Sequence, residues 1–115
     1  MKIPNAEAAY VERSKLTEYL LSATHPVGRS KAVFFRTLGF ADESVGGLEQ
    51  GLVAIAKTKE VVDAERSEYG MKYTIDGSMD TPGGRVVRVR TVWIIGQGEE
   101  RPRFITAYPL SERKP

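Results

Sequence analysis

Two periods divide the chain. Up to about residue 58 the apolar positions recur at helical spacing, and beyond residue 60 they alternate. Leu16, Tyr19 and Leu20 mark a helix from about Arg13 to Ser22. Pro26 and Gly28 break it. Ala32, Phe35 and Leu38 mark a second helix, starting near Gly28 or Ser30 and ending at Leu38, with Gly39 placed for a left-handed C-terminal cap. Val45, Leu48, Leu52, Ile55 and Ala56 carry a third, from after the N-cap residue Asp42 to about Lys57. Gly46, Gly47 and Gly51 each cost that helix about 1 kcal/mol relative to alanine, so it must rely on packing.

In the second half, Tyr73, Ile75 and Met79 fall on one face of a strand, with Lys72, Thr74 and Asp76 on the other. Gly77 reads as a bulge or bend. Thr81-Pro82-Gly83-Gly84 is a turn, followed by the clearest strand, Arg85 to Ile95. A loop from Gly96 to Glu100 leads to a last strand, Arg103 to Tyr108, where Pro109 is placed to end pairing. Short connections between successive strands predict an antiparallel meander. The expected fold is α+β: about three N-terminal helices packed on one face of a C-terminal antiparallel β-sheet of about four strands. Neither half can bury its apolar face alone, so residues 1–115 are expected to form one domain. Its parts are a helical half (1–58), a sheet (60–110) and a tail (111–115).

Alternation also assigns faces. Val87, Val89, Thr91, Trp93 and Ile95 form the side that the helices should cover, which leaves Arg88 and Arg90 on the opposite side. In the last strand Phe104, Thr106 and Tyr108 share one face, and Arg103, Ile105 and Ala107 the other. Register decides whether Thr106 and Tyr108 stand beside the arginines.

Composition narrows the chemistry. The chain has no cysteine and one histidine, which removes disulfides, thiolate catalysis and the usual zinc ligand sets. No calcium-loop spacing and no phosphate-binding glycine loop occur, so neither metal nor cofactor is expected. No apolar run approaches the roughly 20 residues of a membrane span, and a cytoplasmic location is expected. The net charge of +2 permits nucleic-acid binding without demanding it. Its distribution is uneven: Glu60, Asp63, Glu65 and Glu68 form an acidic stretch, while Arg85, Arg88, Arg90, Arg101 and Arg103 make the C-terminal third basic.

His25 lies in a His-Pro-x-Gly loop just before a helix N-terminus, where backbone N–H groups attract anions and favour a neutral imidazole. It is a candidate general base, although a lone loop histidine is more often a surface residue. Lys31, in the first turns of that helix, is a candidate phosphate ligand or an ordinary solvated lysine. Arg88 and Arg90 read either as solvated surface and cross-strand ion pairs or as a phosphate site.

Several segments together form a recognisable set. Met1-Lys2-Ile3-Pro4-Asn5-Ala6-Glu7, Lys15-Leu16 with Tyr19-Leu20-Leu21, and His25-Pro26-x-Gly28-x-x-Lys31-Ala32 precede Leu38-Gly39-Phe40. Tyr69-Gly70-x-x-Tyr73, Arg90-Thr91-x-Trp93-Ile94 and Pro102-Arg103 come later, ahead of Ile105-Thr106-Ala107-Tyr108. Over nearly its full length the chain resembles an uncharacterised bacterial family of short proteins. More distantly, helices followed by a meander with an early His-x-x-Gly-x-x-Lys and a late Ile-Thr-Ala-Tyr-Pro resemble the barnase, EndoU, colicin and RelE-type ribonuclease toxins. That likeness implies metal-independent RNA cleavage through 2′-hydroxyl attack on phosphate. It would make His25 a base or acid, Lys31 with Arg88 or Arg90 the charge stabilisers, and Thr106 and Tyr108 the positioning groups. The second proton-transfer group is left open among Tyr108, Lys31 and Glu68. The expected partners are RNA and a cognate antitoxin or immunity protein. The alternative is a non-catalytic interaction protein: an antitoxin, an immunity protein or a subunit of a small complex.

Overall fold

The computed structural model describes residues 1–21 and 29–110. The helical half is built from α1 (Arg13–Lys15), which runs on as a π-helical turn over Leu16–Leu20, α2 (Arg29–Thr37) and α3 (Val45–Thr58). Short 3₁₀ turns at Ala6–Ala8 and Asp42–Ser44 precede the first and last of these. The widened turn is visible in the bond from the Leu21 N–H to the Leu16 carbonyl at 2.8 Å, which spans five residues. It keeps Leu16, Leu20 and Leu21 all buried.

The sheet has strands β1 (Val61–Ser67), β2 (Gly70–Asp80), β3 (Val86–Gly96) and β4 (Arg103–Pro109) in the order β1-β2-β3-β4, every pair antiparallel. The α+β arrangement expected from the sequence is therefore present, with the helices over one face. α3 lies over β2, and α2 lies beside β4. Leu48, Leu52, Ile55 and Ala56 of α3 meet Tyr73, Ile75, Met79, Val89 and Trp93 in one core, which Phe35, Phe104 and Ala107 extend.

Buried polar groups in this core are paired. The Trp93 indole N–H donates to Thr91 Oγ1 at 2.8 Å, and the Thr91 hydroxyl donates to the Ile75 carbonyl at 2.7 Å. Both residues are fully buried. The Trp93 ring meets Phe104 edge-on, with centroids 5.4 Å apart.

Gly39 takes the cap expected of it. Its φ is +100°, the Phe40 N–H bonds to the Phe35 carbonyl, and the Gly39 N–H bonds to the Arg36 carbonyl. Those two bonds, with Phe35 and Phe40 in ring contact, make a Schellman cap and its hydrophobic partner pair. A Cβ at Gly39 would also lie 3.1 Å from the Gly83 nitrogen and 3.2 Å from the Pro82 Cβ. Gly39→Ala is expected to cost about 1–3 kcal/mol from left-handed backbone strain alone. A lowered denaturant midpoint at unchanged m-value would show it, and an unshifted midpoint would contradict the tight packing of this corner.

Two expectations change. Gly77 is neither bulge nor bend, because β2 and β3 pair without interruption from Gly70↔Gly96 to Asp80↔Val86. It is instead a point of close approach between α3 and the sheet: a Cβ there would lie 2.8 Å from Ile55 Cγ1. Gly51 of α3 makes the matching approach, its missing Cβ leaving room for Met79. Pro109 does not end pairing either. It stands opposite Val89, and the next N–H, that of Leu110, bonds to the Arg88 carbonyl at 3.0 Å. Alternation turns the Pro109 nitrogen outward at an edge, where a missing donor costs nothing.

Candidate functional site

The candidate site is built by β3 and β4 on the face away from the helices. A bulge decides its composition. β3 and β4 pair as Trp93↔Phe104 but as Val92↔Thr106, so Ile105 is an extra residue in β4. On one side of it Phe104 joins Trp93 in the core, and on the other Ala107 joins Thr91 there. Thr106 and Tyr108 are thereby turned to the open face, with Tyr108 directly opposite Arg90 and Thr106 opposite Val92. Without the bulge the strict alternation read from the sequence would have put Ala107 and Arg103 on one face. With it, Arg103, opposite Ile94, shares the open face with Thr106 and Tyr108.

Arg90 is the centre of the site. Its Nε donates to Asp76 Oδ1 at 2.8 Å and its Nη2 to Oδ2 at 2.9 Å, a two-pronged pair across β2 and β3. The side chains are 37% and 14% exposed, so the pair is partly shielded and one side of the guanidinium faces solvent. The Asp76 hydrogen bonds and charge hold the guanidinium in its charged form more firmly than usual, partial burial opposes this, and Tyr108 adds to it from the other flank. Arg90 thus lies between a carboxylate and a phenol. Arg88, opposite Ser78, is exposed, and its side chain makes no hydrogen bond or ion pair among the described residues.

Four of the six residues singled out from the sequence, Arg88, Arg90, Thr106 and Tyr108, therefore share one face. Lys31 lies on α2, in the helical layer on the opposite side of the sheet. His25 lies outside the described residues. The partner Asp76 was not singled out, though the signal existed: Asp76 and Arg90 lie equally far from Gly83, so the 81–84 turn alone sets them opposite one another. Among the described residues, no three His, Asp or Glu side chains are grouped to hold a metal ion. No helix there is long and apolar enough to cross a membrane.

Two hollows lie elsewhere. Two shallow grooves of about 420 and 450 Å³ flank α3, one against Ser78, Met79 and Val86 and the other against Ala9, Tyr10 and Arg13. Neither is lined by Arg88, Arg90, Thr106 or Tyr108. Their walls include the small α3 residues Gly46, Gly47, Gly51 and Ala54, so the hollows follow from the low side-chain volume of that helix, and the second also carries the Arg13–Glu49 ion pair.

Comparison with known proteins agrees with this architecture. Residues 2–111 match a family described as a domain of unknown function, DUF6883. The chain belongs to the DUF6883 family. A search of curated proteins finds no match to this DUF6883 chain. Among solved structures, the DUF6883 fold is similar to a chain of a contact-dependent growth inhibition toxin–immunity protein complex from Klebsiella pneumoniae 342. The TM-score is 0.72 at 18% identity, covering 93% of this chain and 97% of that one. The likeness is one of fold, nearly end to end in both chains.

Proposed function

We propose that this DUF6883 domain is an RNA-cleaving toxin domain of the toxin–immunity kind, working without a metal through 2′-hydroxyl attack on the adjacent phosphate. The observation that carries it is the set Arg90, Tyr108, Thr106 and Arg88 on the sheet face away from the described helices, with the β4 bulge turning Thr106 and Tyr108 to it. The fold likeness to a chain of a toxin–immunity complex supports the biological setting. The chemistry requires a base for the 2′-hydroxyl, an acid for the leaving oxygen and fixed positive charge at phosphorus. Arg90, held in place by Asp76, supplies the fixed charge, with Arg88 beside it on the same strand face. Tyr108, a phenol in contact with a cation, serves as a proton-transfer group, and Thr106 hydrogen-bonds the phosphate. His25 is the base.

One observation favours a second reading. Arg90 already satisfies Asp76, as a purely structural cross-strand pair would, and the exposed Val62, Tyr69 and Val86 offer apolar contacts to a protein. In that reading the domain is the non-catalytic partner, an immunity protein or antitoxin.

RNA cleavage by the purified protein in EDTA separates the two. The ribonuclease reading expects cleavage with a cyclic phosphate product, reduced by about 10²–10⁴-fold in His25→Ala as expected for a lost general base. Intact RNA across several RNA classes would reject it in favour of the protein-binding role.

A further inference from the structure

The open face is electrically divided. Its β1–β2 half presents Asp63, Glu65, Asp76 and Asp80, with Lys72 among them, while its β3–β4 half presents Arg88, Arg90 and Arg103 with no acid. Only Arg90 reaches across the divide, to Asp76. Arg88 and Arg103 stand at opposite ends of the basic half, roughly 20 Å apart by strand rise. Among the described residues neither side chain has a hydrogen-bond or ion-pair partner. Ile94, although it faces away from the helices and outside the core cluster, is only 4% exposed between its cross-strand neighbours Arg103 and Lys72. Those two long side chains are positioned to lie along it, which leaves their charged ends as the exposed part of that end of the face.

From this we infer that the basic half is a track for the backbone of unpaired RNA, running along β3 and β4 from Arg88 past Arg90, Tyr108 and Thr106 to a second phosphate contact at Arg103. The inference rests on the ribonuclease reading for its ligand and extends it to a subsite away from the reacting phosphate. The acids of β1 and β2 border the track and repel phosphate, which confines the strand to the basic half. A duplex presents two phosphate rows, and its width would bring one of them over the acidic half, so the track selects single strands. The Thr106 hydroxyl and the half-buried Val92 line its middle and leave space for bases turned away from the backbone.

The test uses the whole protein and a short fluorescein-labelled single-stranded RNA, 2′-O-methylated throughout so that it cannot be cleaved, followed by anisotropy across a salt series. Arg103→Ala should weaken binding about 5–10-fold and lower the salt slope by about 0.7, the single-strand increment for one phosphate contact. Arg103→Lys should recover most of the affinity, and Glu65→Gln should not weaken binding. A duplex of the same sequence should compete poorly. Thermal melts of each variant show whether the fold is intact. An Arg103→Ala affinity and slope equal to the parent, or equal competition by duplex, overturns the track. So does absence of single-strand binding, which would leave the basic half to an acidic protein surface. Single-strand binding that depends on Arg103 without any cleavage of unmodified RNA sustains the track and removes the ribonuclease reading. Cleavage indifferent to Arg103 does the reverse.

Discussion

Replacing Trp93 with alanine should remove about 3–5 kcal/mol of stability, a large part of the roughly 5–15 kcal/mol that holds a typical domain together. The indole is fully buried, meets Phe104 edge-on, and donates to the Thr91 hydroxyl that in turn holds the Ile75 carbonyl. Alanine would leave a cavity where helices and sheet meet, and it would strip the Thr91 oxygen of its donor. Trp93→Phe keeps most of the volume while losing the indole N–H and part of the ring, so its cost should be clearly smaller. Urea denaturation followed by far-UV circular dichroism is the right measurement, because Trp93 is the only tryptophan and fluorescence vanishes with it. A loss below about 1 kcal/mol in the alanine variant would mean that the site collapses around the gap. The Trp93–Thr91–Ile75 chain would then not be what ties the centre of the sheet.

The second large effect is expected at Arg90. If its guanidinium stabilises charge at phosphorus, Arg90→Gln should lower kcat by about 10²–10³-fold, the usual cost of removing one such donor. Asp76→Asn should lower it much less, because the cation remains and loses only its anchor. The two substitutions should instead cost similar stability, since each breaks the same pair. Steady-state kinetics and melting curves on both variants and the double variant separate the roles. Equal small effects on cleavage from both would reduce Arg90 to the cross-strand ion pair that its geometry also describes. The held charge is insensitive to pH in the working range, because Asp76 and Tyr108 push the guanidinium titration further upward from an already alkaline value. Stability from this group is therefore full below its ordinary titration range and is lost only as pH rises through the raised one. Any pH profile near neutrality must come from another group.

The sheet was readable where one face is buried and the other wet. β3 alternates cleanly because Val89, Thr91 and Trp93 face the core while Arg88 and Arg90 face solvent. β1 was not readable as a strand in its own right: residues 62–66, Val-Asp-Ala-Glu-Arg, are all exposed, so no apolar period appears, and its edge position needs none. Alternation failed again at Ile105, since a bulge inverts the side-chain pattern without any local residue that announces it. The predicted faces of β4 were therefore half right, Thr106 and Tyr108 together, but Phe104 across from them in the core. α3 shows propensity overridden by packing: Gly51 is poor for a helix and good for close contact with β2. The Asp76–Arg90 pair was latent in the hairpin geometry. Lys31 illustrates the limit of spacing arguments, because a sequence likeness joined it to residues on the other side of the sheet.

The N-terminal segment is fastened at both edges of the sheet. Val61 N–H bonds to the Met1 carbonyl at the β1 edge, and residues 5–10 are tied to 100–104 at the other edge. Those ties include Asn5 Nδ2 to the Glu100 carbonyl, Arg101 Nε to the Ala8 carbonyl, and the Tyr10 bridge to Pro102 and Phe104. The residues of this domain that leave the ribosome earliest thus close onto some of those that leave it latest. The helical half has no finished sheet to rest on until β4 emerges, so synthesis must pass that strand before the native contacts can form. Such long-range closure slows folding and prolongs the time during which apolar helix faces stand uncovered. A binding partner present during synthesis would meet this chain as an open, unassembled surface before it met a finished domain.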